Sequence, residues 1–237
     1  AFLAMLLLRP RVSTKFEKGD VGYGALLGVV LALGYITQTI GLELTTAATS
    51  GFLTGLYVVF TPLLAWVFMR QSVAKRVIVG VVVAMGGLAI FSGAATDVEF
   101  QVGQLWLVAC AVFYAVHILL LGKHGKGRSA YRFAMLQIGW MAVVTWGFAL
   151  VDGYQAPPNT DVWFALFFTA LLSTVIAFWV QTWAQTLIDP ARVALIITSE
   201  VIFTALVAVA VGQEPVTFAM VIGGGLMFAA MLIVEWP

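Results

Sequence analysis

The chain has 237 residues, of which 62% are apolar and only 10% charged, with a net charge of +1 and a mean hydropathy of +1.04. So few charged groups cannot coat a soluble globule of this length, and the small net charge gives no reason to expect a nucleic-acid partner. The single Cys110 lies in an apolar segment and excludes an internal disulfide framework.

A membrane span needs roughly 20 mostly apolar residues. In chain order the candidate spans are 1–8 (partial), 21–44, 46–69, 75–93, 103–122, 131–151, 161–187, 191–212 and 216–236. The first of these is too short for a signal peptide and has no basic region before it. The gaps between spans alternate in charge. All twelve Lys and Arg residues fall in every second gap: Arg9, Arg11, Lys15 and Lys18, then Arg70, Lys75 and Arg76, then Lys123, Lys126, Arg128 and Arg132, then Arg192. The intervening gaps hold only acids: Glu43, then Asp97 and Glu99, then Asp152 and Asp161, then Glu214. Cytoplasmic loops are enriched in Lys and Arg, whereas acids carry little topological weight. The pattern predicts an all-α, multi-pass protein of the inner (cell) membrane, with loop 123–132 and the C-terminus cytoplasmic. Trp163, Trp236 and Tyr131 stand where interfacial aromatics belong.

A shift of 143 positions aligns the two halves without a gap from about Ile36 to Phe91. Gln38-Thr39 falls on Gln181-Thr182, Ala48 on Ala191, Phe60-Thr61 on Phe203-Thr204, Leu63 on Leu206, Ala65 on Ala208 and Gly80 on Gly223. Matches at polar positions and equal segment lengths favour a duplication. The second half holds five spans, and an odd number reverses the direction of the second copy, giving an inverted-topology repeat. The organisation expected is an N-terminal repeat over 1–93, truncated at its start, and a C-terminal repeat over 103–237. The intact bundle is expected to have ten helices, with the first helix and part of the second, about 40 residues, expected to precede this sequence. A nine-span protein is the alternative.

The run from Thr45 to Pro62 resembles the fourth span of EamA-type members of the drug/metabolite transporter superfamily. The segment from Asp189 through Glu200 to Gly212-Gln-Glu214 resembles the ninth. Where such members often carry Leu-Glu-Pro-Val, this chain reads Ser199-Glu-Val-Ile202, and the first-half equivalent of their closing Glu is Gln71. The resemblance covers nearly the whole chain. It implies ten helices in two inverted repeats and the export or exchange of a small metabolite or drug, with the substrate left open.

Several residues stand out within the spans. Ser50, Thr54, Tyr57 and Thr61 are spaced 4, 3 and 4 and share one helix face. Hydroxyls gain nothing from lipid, so this face should point inward; bonding back to their own helix is the alternative. Pro62 removes a backbone donor and predicts a kink beside the stripe. The repeat sets Tyr57 opposite Glu200, a carboxyl near the middle of its span, where ionisation costs a few kcal/mol or more. With no Lys or Arg beyond the first two residues of any full span, Glu200 is expected to be protonated, hydrogen-bonded, or a ligand for a cationic substrate group. Protons are a candidate coupling ion. Cys110, Tyr114 and His117 share a second face, and His117 suits a proton relay or a plain interhelical bond. His124 reads as a solvated loop residue. Gln38, Gln137 and Gln181 suit substrate orientation or interhelical bonding.

A substrate-binding cavity lined by Gln38, Thr54, Tyr57, Tyr114, His117, Gln181 and Glu200 is therefore expected. Gly24/Gly28, Gly51/Gly55 and Gly223–Gly225 suit close helix packing; Gly22-x-Gly24 has no preceding strand and is no nucleotide loop. Asp189 should cap a helix whose first turn holds Pro190. Two histidines, one of them inside a span, cannot build the metal or nucleophile cluster of a membrane-embedded enzyme. No ring of like residues marks a channel. No metal or cofactor is expected, and a transporter is the leading reading.

Overall fold

Apolar segments in lipid must satisfy their backbone polar groups internally, which leaves the helix as the form for these stretches. In the computed structural model residues 1–7, 17–45, 47–70, 72–92, 102–153, 156–210, 212 and 215–235 are described. Every regular element among them is helical. The helices are α1 (Phe2–Leu7), α2 (Asp20–Glu43), α3 (Ala47–Gly55), α4 (Tyr57–Met69), α5 (Lys75–Ser92), α6 (Val102–His124) and α7 (Ala130–Asp152). They continue with α8 (Thr160–Phe168), a π-helical stretch (Thr169–Ile176), α9 (Ala177–Ala184), α10 (Pro190–Ile197), α11 (Glu200–Ala210) and α12 (Phe218–Glu235). Among the described residues five helical segments are long and apolar enough to cross a membrane: Asp20–Glu43, Thr49–Met69, Val102–His124, Ala130–Val151 and Thr160–Ala184. Arg9, Arg11, Lys15, Gln71, Asp97, Glu99, Glu214 and Trp236 lie outside the described residues.

Three of the expected spans carry an irregular turn. Span 46–69 tightens at Leu56 and span 191–212 at Thr198-Ser199, with Leu56 and Thr198 still right-handed helical, while span 161–187 widens into the π-helical stretch. The first two turns occupy the same place in the repeat. Leu56 N–H donates to the Leu53 carbonyl at 3.2 Å, and its counterpart Ser199 N–H donates to the Ile196 carbonyl at 3.0 Å. These tightened i→i−3 bonds end one helix, and the next starts at Tyr57 or Glu200. Pro62 is buried inside α4, six residues after the irregular turn at Leu56. Since position 205, its counterpart, is Ala, proline cannot cause both turns. In α10 the Thr198 hydroxyl donates back to the Ala194 carbonyl at 2.9 Å, a bond that bends helices.

The described chain forms two compact units, each drawing on both halves of the sequence. One comprises Ala1–Leu33 with Leu120–Ile188. Within it α7 packs on α9 and α1 packs on α7. Gly24 admits α7 closely, since a Cβ there would lie 2.7 Å from Leu136 Cβ. At the start of α2, buried Asp20 accepts from the Glu17 N–H at 2.9 Å and pairs with Arg128. His124 ends α6 and stacks on Tyr23 at 4.0 Å, with the Arg128 guanidinium 5.2 Å from the same ring. It is a packed residue, contrary to the solvated position expected. Tyr131 also departs from the interfacial role: it is buried and donates to the Met5 carbonyl at 2.6 Å, satisfying an α1 terminus. Trp163 at the start of α8 is exposed, as an interfacial aromatic should be.

The other unit comprises Gly34–Leu119 with Asp189–Pro237. Its most extensive helix pair is α5 with α12, which occupy identical ranges once the repeat offset is applied. Gly80 lies against Ala230 and Val234, and Gly87 against Gly223, Leu226 and Met227, so the two helices run antiparallel. The contact maps onto itself under the repeat: Gly80 becomes Gly223, and Ala230 and Val234 become Gly87 and Phe91, which are the neighbours of Gly223. Gly55 faces Leu88, whereas Gly51 and Gly225 have no neighbour within 4 Å and take no part in close packing. Pro190 stands in the first turn of α10 as expected, but the Asp189 side chain makes no capping bond.

Candidate functional site

The polar stripe of α3 and α4 does point inward. Ser50, Thr54, Tyr57 and Thr61 are all buried, at most 6% exposed. Thr61 follows the local alternative, donating to the Tyr57 carbonyl at 2.7 Å. Thr54 Oγ1 and the Tyr57 hydroxyl have no hydrogen-bond partner among the described residues. Buried hydroxyls normally find partners, so these two are notable.

Gln38 on α2 and Tyr114 on α6 meet directly: the Tyr114 hydroxyl donates to Gln38 Oε1 at 2.8 Å. Gly34, one turn before Gln38, lets the Tyr114 ring approach, since a Cβ there would lie 2.5 Å from Tyr114 Cε1. Tyr35 adds its ring edge-on to Tyr114 with centroids 5.8 Å apart. Replacing Tyr114 by Phe is expected to cost about 1 kcal/mol, the usual net value of such a bond, visible as a small drop in unfolding temperature in detergent. No change in that temperature would show that the Tyr114–Gln38 bond carries no stability.

Glu200 opens α11 immediately after the tightened turn at Thr198-Ser199 and is exposed. Its carboxylate is within electrostatic reach of the hydroxyls of Tyr35, Tyr57 and Tyr114. Thr198 lies beside Tyr57, and Cys110 lies beside Thr37, Thr54 and Tyr114. The turn before Glu200 stays hydrogen-bonded: the Val201 N–H donates to the Thr198 carbonyl at 3.3 Å and the Phe203 N–H to the Ser199 carbonyl at 3.1 Å.

Of the seven expected site residues, Gln38, Thr54, Tyr57, Tyr114, His117 and Glu200 lie in this unit. His117 is buried on α6, one turn from Tyr114. Gln181 belongs to the other unit, where it is half-buried on α9. Nearby on the same helix, Thr182 receives the Gln137 amide N–H at 2.9 Å, so Gln137 serves an interhelical bond. Tyr35, Thr37 and Thr198 were not singled out from the sequence. Tyr35 stands three residues before Gln38 on one helix face, a spacing that could have found it.

Apolar helices with irregular turns framing a polar cluster define a multi-pass helical membrane protein with a polar interior site. Residues 1–93 and 101–236 match the EamA-like transporter family. The chain belongs to that family, and it is a membrane transporter. An uncharacterized transporter of Archaeoglobus fulgidus is 31% identical over 235 residues, 99% of this chain and 74% of the relative. A second uncharacterized transporter of the same organism is 27% identical over 220 residues, 88% of this chain and 73% of the relative. A solved crystal structure shares the fold at a TM-score of 0.74 and 16% identity, over 91% of this chain and 84% of that one.

Proposed function

We propose that the chain is a secondary transporter, not an enzyme, that exports a small metabolite or drug across the cell membrane by alternating access. Its working parts are two inverted five-helix repeats, over 1–93 and 103–237, of a ten-helix bundle. The observation that carries this reading is the pair of tightened turns at Leu56 and Thr198-Ser199, one in each half at the same repeat position. Irregular helices at corresponding positions of two repeats point to a transporter binding site. The antiparallel α5–α12 contact that maps onto itself under the repeat supports the inversion. Gln38, Thr54, Tyr57, Tyr114, His117, Gln181 and Glu200 are proposed as substrate-binding residues. Glu200 has two candidate roles, proton carrier or counter-ion for a cationic substrate group.

Counterflow in liposomes carrying the full-length protein, with a panel of labelled metabolites, tests the function. Accelerated exchange over protein-free liposomes is expected for at least one compound. Exchange no faster than in protein-free liposomes for the whole panel would count against transport.

Topology has its own test. Single cysteines at Thr45 and at Ile188, in a Cys110→Ser background, should be labelled from opposite sides of the membrane. A reporter in the 125–128 turn should read cytoplasmic, as should one after the C-terminus. Labelling of both cysteines from one side would remove the inverted repeat.

A further inference from the structure

The ion pair between Asp20 and Arg128 joins parts of the chain that belong to different repeats. Asp20 opens α2 in the first repeat, and Arg128 lies in the turn between α6 and α7 of the second. Their side chains are only 4% and 16% exposed, so water screens the pair little. A second cross-repeat contact stands beside it, where Tyr23 of α2 stacks on His124 of α6 at 4.0 Å and 17°. The Arg128 guanidinium lies 5.2 Å from the Tyr23 ring centre and 5.7 Å from that of buried Phe133 on α7. Gly19 leaves room for this cluster, because a Cβ there would meet Tyr23 Cε2 at 2.9 Å and Arg128 Nη2 at 3.8 Å. All of these residues lie within one compact unit, at the face whose gaps hold the basic residues.

The opposite face is built differently. Carried back to the starts of α2 and α8, the repeat offset sets Asp20 against Trp163 and Tyr23 against Leu166, both exposed. The acid of that end, Asp161, is exposed in the first turn of α8, whereas Asp20 is buried. Two inverted repeats of identical sequence would favour neither facing state. A contact made on one face alone favours the state in which that face is closed. Opening the pair need not strand the acid, since Asp20 also accepts from the Glu17 N–H at 2.9 Å.

We infer that Asp20, Tyr23, His124 and Arg128 form a latch between the two repeats that closes the cytoplasmic face and makes the outward-facing state the resting one. This rests on the inverted-repeat reading above and adds a preferred state to it.

The test is distance measurement by pulsed electron paramagnetic resonance on the full-length protein in proteoliposomes. Spin labels are placed in two pairs, with all other cysteines replaced by serine. Val21 with Lys126 reports the cytoplasmic face and Leu44 with Ala156 the external face; all four positions are exposed. In the parent the first pair should be mostly close and the second mostly far apart. Asp20→Asn should raise the ratio of far to close Val21–Lys126 populations by about tenfold. The Leu44–Ala156 pair should shift towards close distances in step. Tyr23→Leu should act in the same direction but less. Exchanging the charges, Asp20→Arg with Arg128→Asp, should return both distributions towards the parent. Unchanged distances in a folded Asp20→Asn protein overturn the latch. So does lengthening of the Val21–Lys126 pair alone, which is fraying of a helix start. Should Asp20→Asn not fold, Tyr23→Leu with the same two pairs decides. Opposed movement of the two pairs that no latch variant alters overturns the latch and leaves alternating access standing. No opposed movement in any of the proteins removes both.

Discussion

Replacing Gly87 by leucine should lower the unfolding temperature of the purified protein sharply, while the same change at Gly86 should leave it near the parent value. A Cβ on Gly87 would sit 2.7 Å from the Gly223 carbonyl oxygen, 2.9 Å from Met227 Cγ and 3.0 Å from Leu226 Cβ. The first of these is backbone and cannot rotate away, so α12 would have to move. In lipid, helix association rests on close approach of small residues, without a hydrophobic driving force between helices. Overpacking such a contact costs about 3 kcal/mol. Gly86 has nothing within 4 Å, and there leucine gains helix propensity over glycine. Gly223→Leu should reproduce the effect from the opposite helix, because a Cβ there meets the Gly87 carbonyl oxygen at 2.6 Å. The double substitution should cost less than the two singles together, since they disrupt one contact. Thermal unfolding followed by tryptophan fluorescence decides it. Equal curves for the Gly86 and Gly87 variants would contradict the packing described for α5 and α12.

Glu200→Gln is expected to reduce transport in proteoliposomes by about tenfold, the effect of losing roughly 1.4 kcal/mol of binding free energy. The counter-ion and proton-carrier roles diverge in which kind of transport is lost. A counter-ion is needed whenever substrate is held, so accumulation driven by a gradient and simple exchange should fall together. A proton carrier is needed only for coupling, so exchange would survive in the Gln variant while accumulation vanished. Glu200→Asp keeps the charge and retracts it by one methylene, and should retain part of both activities. Surviving exchange in Glu200→Gln would return the carboxyl to the proton-carrier role. Full accumulation by that variant would exclude both.

Sequence made the helical class legible because apolar length and the alternation of basic gaps are direct imprints of the bilayer. The inward stripe from Ser50 to Thr61 was readable for the same reason, since hydroxyls at helical spacing have nowhere favourable to go in lipid. The position of the irregular turn was not readable. Pro62 is the strongest local breaker in α4, yet the irregular turn falls at Leu56, directly after Gly55. Only comparison of the two halves marks the place, because the same tightened bonds recur at Ser199. Glu200 was legible by its charge alone. Tyr35 was legible only through its spacing, three residues before Gln38 on one face of α2, and the hydrogen bond that buries Tyr131 joins residues 126 positions apart.

The π-helical stretch at Thr169–Ile176 alters how the repeat should be used. There the Ala177 N–H reaches back five residues to the Leu172 carbonyl, and the Thr174 hydroxyl reaches the Thr169 carbonyl. Each such turn takes up about one residue more than an α-turn, so side chains beyond it are out of phase with those before it by roughly 100° per turn. Helix α2, which carries Gln38, is α-helical throughout, whereas Gln181 follows the widened stretch. The two glutamines are equals in the alignment but not in helical phase. A duplicated sequence thus presents one residue type on two differently rotated faces, and a single wide turn is enough to give two copies of a side chain separate tasks.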